Sequence, residues 1–277
     1  MSTKQEAKFP PPDPSSRTPE YDLTYEQLWI HGDVQSGLAR RAIGEVAFYK
    51  TIAEKRGREN KRLTQDNEQL SYEATHDDLT GLLNRAGVFE MLEKNYQKNP
   101  NGLRRLSFLD ANGLKEVNDT LSHSFGDDYL RAIANGISAV TRTSRDGNND
   151  DCGRLSGDEF ALFGEVDYEI DSEGHNEIIT SYEDEVRESV RVHTQAFIRS
   201  YLKEHQPRGE VKDEIRELLN NMLDEDFEFI AIGTVIYAGN DHDSAINISD
   251  HRMYEDKNKT QADQEHDLSD KFRKTER

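Results

Sequence analysis

Residues 153–163 read GRLSGDEFALF, and no other stretch restricts the fold as much. The outer residues, on either side of Ser156 and Gly157, are apolar. The spacing predicts two short strands about a two-residue turn. Such a turn asks for a small residue that tolerates positive φ, which Gly157 supplies. Two acids, Asp158 and Glu159, stand directly beside that turn. A half-buried hairpin that carries two carboxylates at its tip needs a chemical reason for them.

The rest of the chain supplies the frame. Residues 103–109 read as a buried strand that runs straight into Asp110. The loop Ala111–Asn112–Gly113 follows, then a short helix, LKEVNDTL, a break at SHSFG, and an amphipathic helix over 126–140. Leu130, Ile133, Ile137 and Val140 form the inward face of that helix. Before them, 86–97 is an amphipathic helix with Val88, Phe89, Leu92 and Tyr96 on one side. After a polar loop and the hairpin come acidic helices near 180–203 and 211–223. A strand follows within FIAIGTVIYAG at 229–239, and a last helix spans about 244–259. Strand, helix, helix, hairpin, helix, strand, helix predicts an α/β fold whose sheet contains antiparallel pairing. The acidic segment 166–226 reads as a solvated elaboration or a docking surface, the former preferred.

Residues 1–20 are rich in Pro, Ser and charge and read as a disordered tail without the apolar core of a signal peptide. YEQLW opens a short helix. Residues 37–73 contain no proline and carry a thin apolar stripe, so they are either a solvated helix or a loose coiled coil that pairs two protomers. The tail past 264 is charged and is expected to fray.

Charge narrows the partners. Asp and Glu number 55 against 35 Lys and Arg, a formal net charge of −20 over 277 residues. A surface that coats nucleic acid needs clustered cations, and so does docking on anionic lipid; both are expected absent. A small anionic ligand remains compatible where a metal neutralises it locally. The single cysteine, Cys152, excludes an intramolecular disulfide and fits a cytoplasmic protein. No apolar run approaches membrane-spanning length.

If the strand ending at Asp110 neighbours the hairpin, the carboxylates of Asp110, Asp158 and Glu159 converge at one sheet edge. Carboxylates from two strands suit Mg²⁺ (or Mn²⁺), which keeps substrate phosphates in its shell. Polymerase-type phosphoryl transfer uses this arrangement. The loop entering a helix after Asp110 offers backbone N–H groups to phosphate, with Lys115 as a cation. Asn118 and Asp127 suit a guanine edge, since a carboxylate accepts from donors that adenine lacks. Taken singly, each has a plain structural role: Asp110 or Asp127 as a helix cap, Asn118 as a turn residue. His76, His123 and His251 lie in separate motifs and read as surface or packing residues. Phe108, Phe125, Phe160 and Phe163 read as core.

Four ordered stretches, ATHDDLTGLLNR, LDANGLKEVNDTLSHSFGDDYLRAIA, GRLSGDEFALF and SDHRMYEDKN, resemble the successive signatures of GGDEF-domain diguanylate cyclases over roughly 72–260. The resemblance implies a sheet like that of nucleotide cyclases and polymerase palms, and condensation of two GTP into cyclic di-GMP by a dimer. It implies Asp110, Asp158 and the Ala111 carbonyl as metal ligands. Glu159 would assist the metal or activate the 3′ hydroxyl. Lys115 and Lys257 would contact phosphates, with Lys115 counted among the catalytic residues. Asn118 and Asp127 would bind guanine. Asn112, Gly113 and Leu114 complete the expected substrate loop.

The sequence departs from the pattern at Ser156 for the first signature Gly, Asn112 for a second Asp, and Gln261 for an Arg after Lys257. An inhibitory RxxD is absent, since Arg142 and Arg145 lack an Asp at the right offset. The expected division is a tail to residue 20, a helical signalling or dimerising segment at 21–71, the GGDEF domain at 72–264 with its acidic insertion, and a charged tail at 265–277. A regulatory protein acting through 21–71 is the expected input. The competing readings are a degenerate domain that binds GTP or a partner without turnover, and a nucleotidyltransferase with another product.

Overall fold

A computed structural model describes residues 37–143, 151–166, 174–205 and 212–275, and side-chain surroundings for 44–141, 151–166, 175–205 and 212–260. The short helix expected at YEQLW, the polar loop around Arg145, and the side chains of Arg142 and Gln261 fall outside these residues. The chain divides into two compact units, with the boundary at Gln69 and Leu70. Helix α1, Gly37–Thr75, crosses that boundary. Along its first part nearly every described side chain is exposed, Phe48 and Leu63 among them. The charged run from Glu54 to Gln69 leaves this helix no apolar face wide enough to bury.

The second unit is built on four antiparallel strands in the order β2-β3-β1-β4, where β1 is Leu103–Ala111, β2 Asp151–Ser156, β3 Glu159–Val166 and β4 Ile230–Ala238. Its helices are α2 (Arg85–Lys98), α3 (Leu114–Thr120), α4 (His123–Thr143), α5 (Gly174–His205), α6 (Asp213–Asn221) and α7 (His242–Thr275). Side chains alternate across each strand, so the two sheet faces build two cores. Leu109, Phe160, Leu162, Ile230 and Ile232 join Phe125, Tyr129, Ile133 and Ile137 of α3–α4 and Val186, Val190 and Ile198 of α5. Leu106, Ala161, Phe163 and Val235 join Val88 and Leu92 of α2 and Ala245 of α7. β1 lies between β3 and β4 with helices over both faces, and its run LSFL is apolar but for Ser107, which is buried and bonded to the Thr234 hydroxyl.

Three expectations are corrected. The acidic segment 166–226 is not a solvated elaboration. Within it, α5 carries Tyr182, Val186, Val190, Thr194, Ile198 and Leu202, buried one after another at a spacing of four. The acids occupy the other faces of this helix. Close packing of α5 on α4 needs Gly136: a Cβ there would sit 2.6 Å from the Val190 Cα, and Ser189 Oγ donates to the Gly136 carbonyl at 2.7 Å. Phe89, expected on the inward side of its helix, is 40 % exposed with Arg85 over its ring. The last helix does not stop near 259 but continues to Thr275, through a stretch with neither Gly nor Pro to end it.

If α5 is half of the core, Gly136→Ala must force backbone apart. It is expected to lower the free energy of unfolding in urea by about 2 kcal/mol. Glu185→Ala on the exposed side of α5 should change it by no more than about 0.5 kcal/mol.

Candidate active site

The site begins with strand register. β1 pairs with β3 so that Asp110 lies directly opposite Glu159, and with β4 so that Asp110 lies opposite Ala231. Directly opposed residues point to the same face, here the one covered by α7. The last ladder bond, from Ala111 N–H to the Asp158 carbonyl at 2.9 Å, ties the end of β1 to the hairpin turn itself. The turn holds Gly157 at φ +42°. Arg154 braces it, donating Nε and Nη2 to the Gly157 carbonyl at 2.9 and 2.7 Å and Nη1 to Asp77 at 3.2 Å. Asp77 in turn accepts from the amide and hydroxyl of Thr80. Burial raises its carboxyl's pKa, but these bonds and the Arg154 charge outweigh burial and hold it below the usual range.

Ser156 is not strained: no described residue other than glycine has positive φ. The Cβ that replaces the signature glycine sits in extended strand. Its hydroxyl donates to Glu159 Oε2 at 2.6 Å. The sequence shows Ser156 only as a departure from the signature glycine and gives no sign of this bond.

Asp110 is 7 % exposed, and Lys257 of α7 donates Nζ to its Oδ1 at 2.7 Å. α7 reaches β4 across Gly233, where a Cβ would run into the backbone of Met253 and Ser249. Burial pushes the Asp110 carboxyl above its usual range, and the charges of Asp158 and Glu159 push the same way; the bond and charge of Lys257 oppose them. The Asp110 carboxyl, crowded by the charges of Asp158 and Glu159, is therefore bonded to one ammonium. Among the described residues no three His, Cys, Asp or Glu side chains form a metal cage by themselves. Mg²⁺ does not need one, since it takes one or two carboxylates plus substrate phosphates and waters. Crowded, under-neutralised carboxylates beside the Ala111 carbonyl fit such an ion.

An open cleft of about 560 Å³ lies beside them, lined by residues 111–116, Asp119, Thr120, Asp158 and Lys257. It includes Ala111, Gly113, Leu114 and Lys115 as expected. Gly113 caps α3 with φ +76°, and the first amides of a helix have no intrahelical acceptor. Asn112 lines the cleft; its backbone N–H goes to the Phe229 carbonyl and its side-chain Nδ2 donates to the Glu228 carbonyl. Its own carbonyl accepts from Tyr129 Oη at 2.7 Å. Burial pushes the Tyr129 phenol up, so it stays protonated as that donor. Asn112 thus shapes the loop. Tyr129, which sequence reasoning passed over, lies on the apolar face of α4 one residue before Leu130.

Asn118 and Asp127 do not line this cleft. Asn118 Oδ1 is buried with no hydrogen-bond partner and lies where a Cβ on Gly126 would meet it; Asp127, the next residue, is exposed. A buried acceptor without a donor costs about 1–3 kcal/mol, which a ligand donor would recover. A second cleft of about 380 Å³ lies on the Arg154 side of the hairpin, but Arg154 is committed to Asp77 and Gly157. Of the histidines, His76 stacks on Tyr72 and His251 is exposed beside Glu255.

A raised native pKa means that the native state binds more protons than the unfolded chain, between the ordinary carboxylate value near 4 and the raised one. Asp110's contribution to stability therefore falls as pH rises through that window. Asp110→Asn removes the fall. Its melting temperature should gain on the unsubstituted protein as pH rises above about 4; a difference independent of pH would contradict the crowding.

The comparisons with known proteins agree with this fold. The model of the diguanylate cyclase GGDEF domain matches residues 74–204. A probable diguanylate cyclase, DgcE of Escherichia coli, is 41 % identical over 96 residues, which cover 34 % of this chain and 8 % of DgcE. Diguanylate cyclase TpbB of Pseudomonas aeruginosa is 38 % identical over 103 residues, 36 % of this chain and 22 % of TpbB. The match thus spans less than a quarter of either relative. The coiled coil and GGDEF domain of DgcB from Caulobacter crescentus, solved with c-di-GMP, superposes with a TM-score of 0.52. The two are 18 % identical, over 76 % of this chain and 94 % of that one, a likeness of fold alone. Residues 74–204 thus match the GGDEF domain of diguanylate cyclases.

Proposed function

We propose that the chain is a diguanylate cyclase, which condenses two GTP into cyclic di-GMP and releases two pyrophosphates. A cyclic di-GMP-related role is supported by the GGDEF domain and its cyclase relatives. The observation that carries the finer reading is the crowding of Asp110 by the charges of Asp158 and Glu159, with Lys257 bonded to Asp110, beside an open cleft.

Each residue then has a task. Asp110, Asp158 and the Ala111 carbonyl would hold a divalent ion, which supplies Lewis acidity to the triphosphate and acidifies the attacking 3′ hydroxyl. Lys115 and Lys257 meet phosphate oxygens, and the amides of Gly113 and Leu114 meet them from the backbone. Asn118 Oδ1 accepts from guanine, and Asp127 accepts from its N1–H and N2–H₂. Glu159, steadied by Ser156, takes the proton of the 3′ hydroxyl. Each 3′ oxygen forms a bond to the α-phosphorus of the other GTP as pyrophosphate leaves. A two-fold product calls for two sites facing each other, hence a homodimer. The helical segment before the domain is the proposed pairing element and the input for a regulatory protein; Leu63 and Leu70, both exposed, stand one heptad apart on α1. Among the described residues no helix is long and apolar enough to cross a membrane, and we place the protein in the cytoplasm.

The second reading, a domain that binds GTP without turnover, is favoured by one observation: the Ser156 hydroxyl already occupies an oxygen of Glu159. Incubation with GTP and Mg²⁺, followed by chromatography, separates the two. Cyclic di-GMP is expected, and retained GTP binding without product would overturn the proposal. Asp158→Ala or Glu159→Ala should cut synthesis about a hundredfold or more with unchanged circular dichroism, and normal synthesis by both would refute the assignment. Asn118→Ala is expected to raise the KM for GTP with little change in kcat.

A further inference from the structure

Behind the site lies a group of charges that the proposed reaction does not use. Arg187 of α5 donates Nη2 to Asp256 Oδ2 of α7 at 2.8 Å and Nη1 to the Ile230 carbonyl of β4 at 3.1 Å, and it lies 3.5 Å from Glu228. Asp256 Oδ2 also accepts the Ile232 amide at 3.0 Å. The two side chains are 16 and 27 % exposed, so the pair is largely withdrawn from water. Ile230 pairs with Ala111 and Ile232 with Leu109, and between them Ala231 pairs with Asp110. The charges thus bracket the three residues of β4 that oppose the metal-binding end of β1. The next residue after Asp256 is Lys257, whose ammonium meets Asp110.

We propose that Arg187 and Asp256 are a positioning pair that locks the rotation of α7 on β4 so that Lys257 stays aimed at the carboxylate cluster. The inference deepens the cyclase reading and rests on it for its functional meaning. The geometry is specific. Asp256 is held both by a cation from α5 and by a backbone amide of β4, so neither translation nor rotation of α7 leaves both bonds intact. Lys257 inherits that constraint through one helical residue. Arg187 completes it by holding a carbonyl of the same strand, so three elements meet at one guanidinium fork. A pair that served only general stability would have no reason to favour one lysine over its neighbours.

Lys257 and Lys259 lie on the same helix two residues apart, Lys259 exposed, and serve as probe and reference. The full-length protein is pulsed with an amine-reactive acylating reagent, and the rates at both lysines are read by peptide mass spectrometry. Asp256→Asn is the mild variant, since it still accepts the Ile232 amide; Arg187→Met is the second, in case the first fails to fold. In the unsubstituted protein Lys257 should label more slowly than Lys259. In either folded variant the Lys257 rate is expected to rise about fivefold, as expected for loosening a charge-assisted bond, with Lys259 unchanged. An unchanged Lys257 rate, or an equal rise at both lysines, overturns the proposal. GTP turnover adds a second arm. Asp256→Asn should cost several-fold in kcat/KM alone and nothing further in a Lys257→Ala background; fully additive losses overturn the proposal. Absence of any product from the unsubstituted protein refutes the cyclase reading, while the labelling still decides the positioning.

Discussion

Everything functional in this molecule depends on one strand register, the pairing of β1 with β3 that sets Asp110 against Glu159. A slip of a single residue would turn Asp110 to the opposite sheet face, among Leu109, Phe160 and the α4–α5 core, and away from Lys257. The register is fixed because both faces are buried. Leu109 packs in the core with α4 and α5 and Leu106 in the core with α2 and α7, and a one-residue slip would exchange them. The sheet thus spends part of its packing energy on holding like charges together. Burial and mutual repulsion both raise the Asp110 carboxyl, and a single ammonium offsets them. Carboxylates so arranged gain most from a multivalent cation.

That logic reconciles an acidic protein with an anionic substrate. A chain of net charge −20 repels triphosphate at a distance, so its attraction has to be local and mediated by an ion or by a few placed cations. Lys115 and Lys257 share the cleft with Asp158. Ser156 adds a feature that the signature's glycine lacks, a hydroxyl bond to the carboxylate of Glu159, next to Asp158. In the proposed reaction it steadies Glu159; in the competing reading it occupies it. The same bond serves both, which is why turnover decides between them.

Much of this was legible in the sequence, for physical reasons that differ by element. The hairpin was visible because turn chemistry is local and Gly157 is needed there. The strand ending at Asp110 was visible as an apolar run that stops at a charge. α5 was misread because its acids are numerous and its buried stripe, spaced by four from Tyr182 to Leu202, is diluted among them. Its welcome into the core is written at Gly136, 54 residues before Val190, and no local pattern reports such a contact. Asn112, which lines the cleft, is anchored by bonds to the Phe229 and Glu228 carbonyls, more than a hundred residues away. The bond between Tyr129 and the Asn112 carbonyl, and the ion pair of Arg187 with Asp256, are likewise meetings of distant segments. Patterns of residue type name the groups that do chemistry, while the groups that aim them are fixed by packing.

The central claim is that Asp110 and Asp158 form one divalent-cation site. The most direct measurement is a crystal structure grown with Mn²⁺ and a non-hydrolysable GTP analogue, with data collected at the manganese absorption edge. The account predicts an anomalous peak within about 2.0–2.4 Å of both carboxylates, with the analogue's phosphates in the same coordination shell. Bound analogue with no manganese between Asp110 and Asp158, or manganese held elsewhere on the chain, would contradict it.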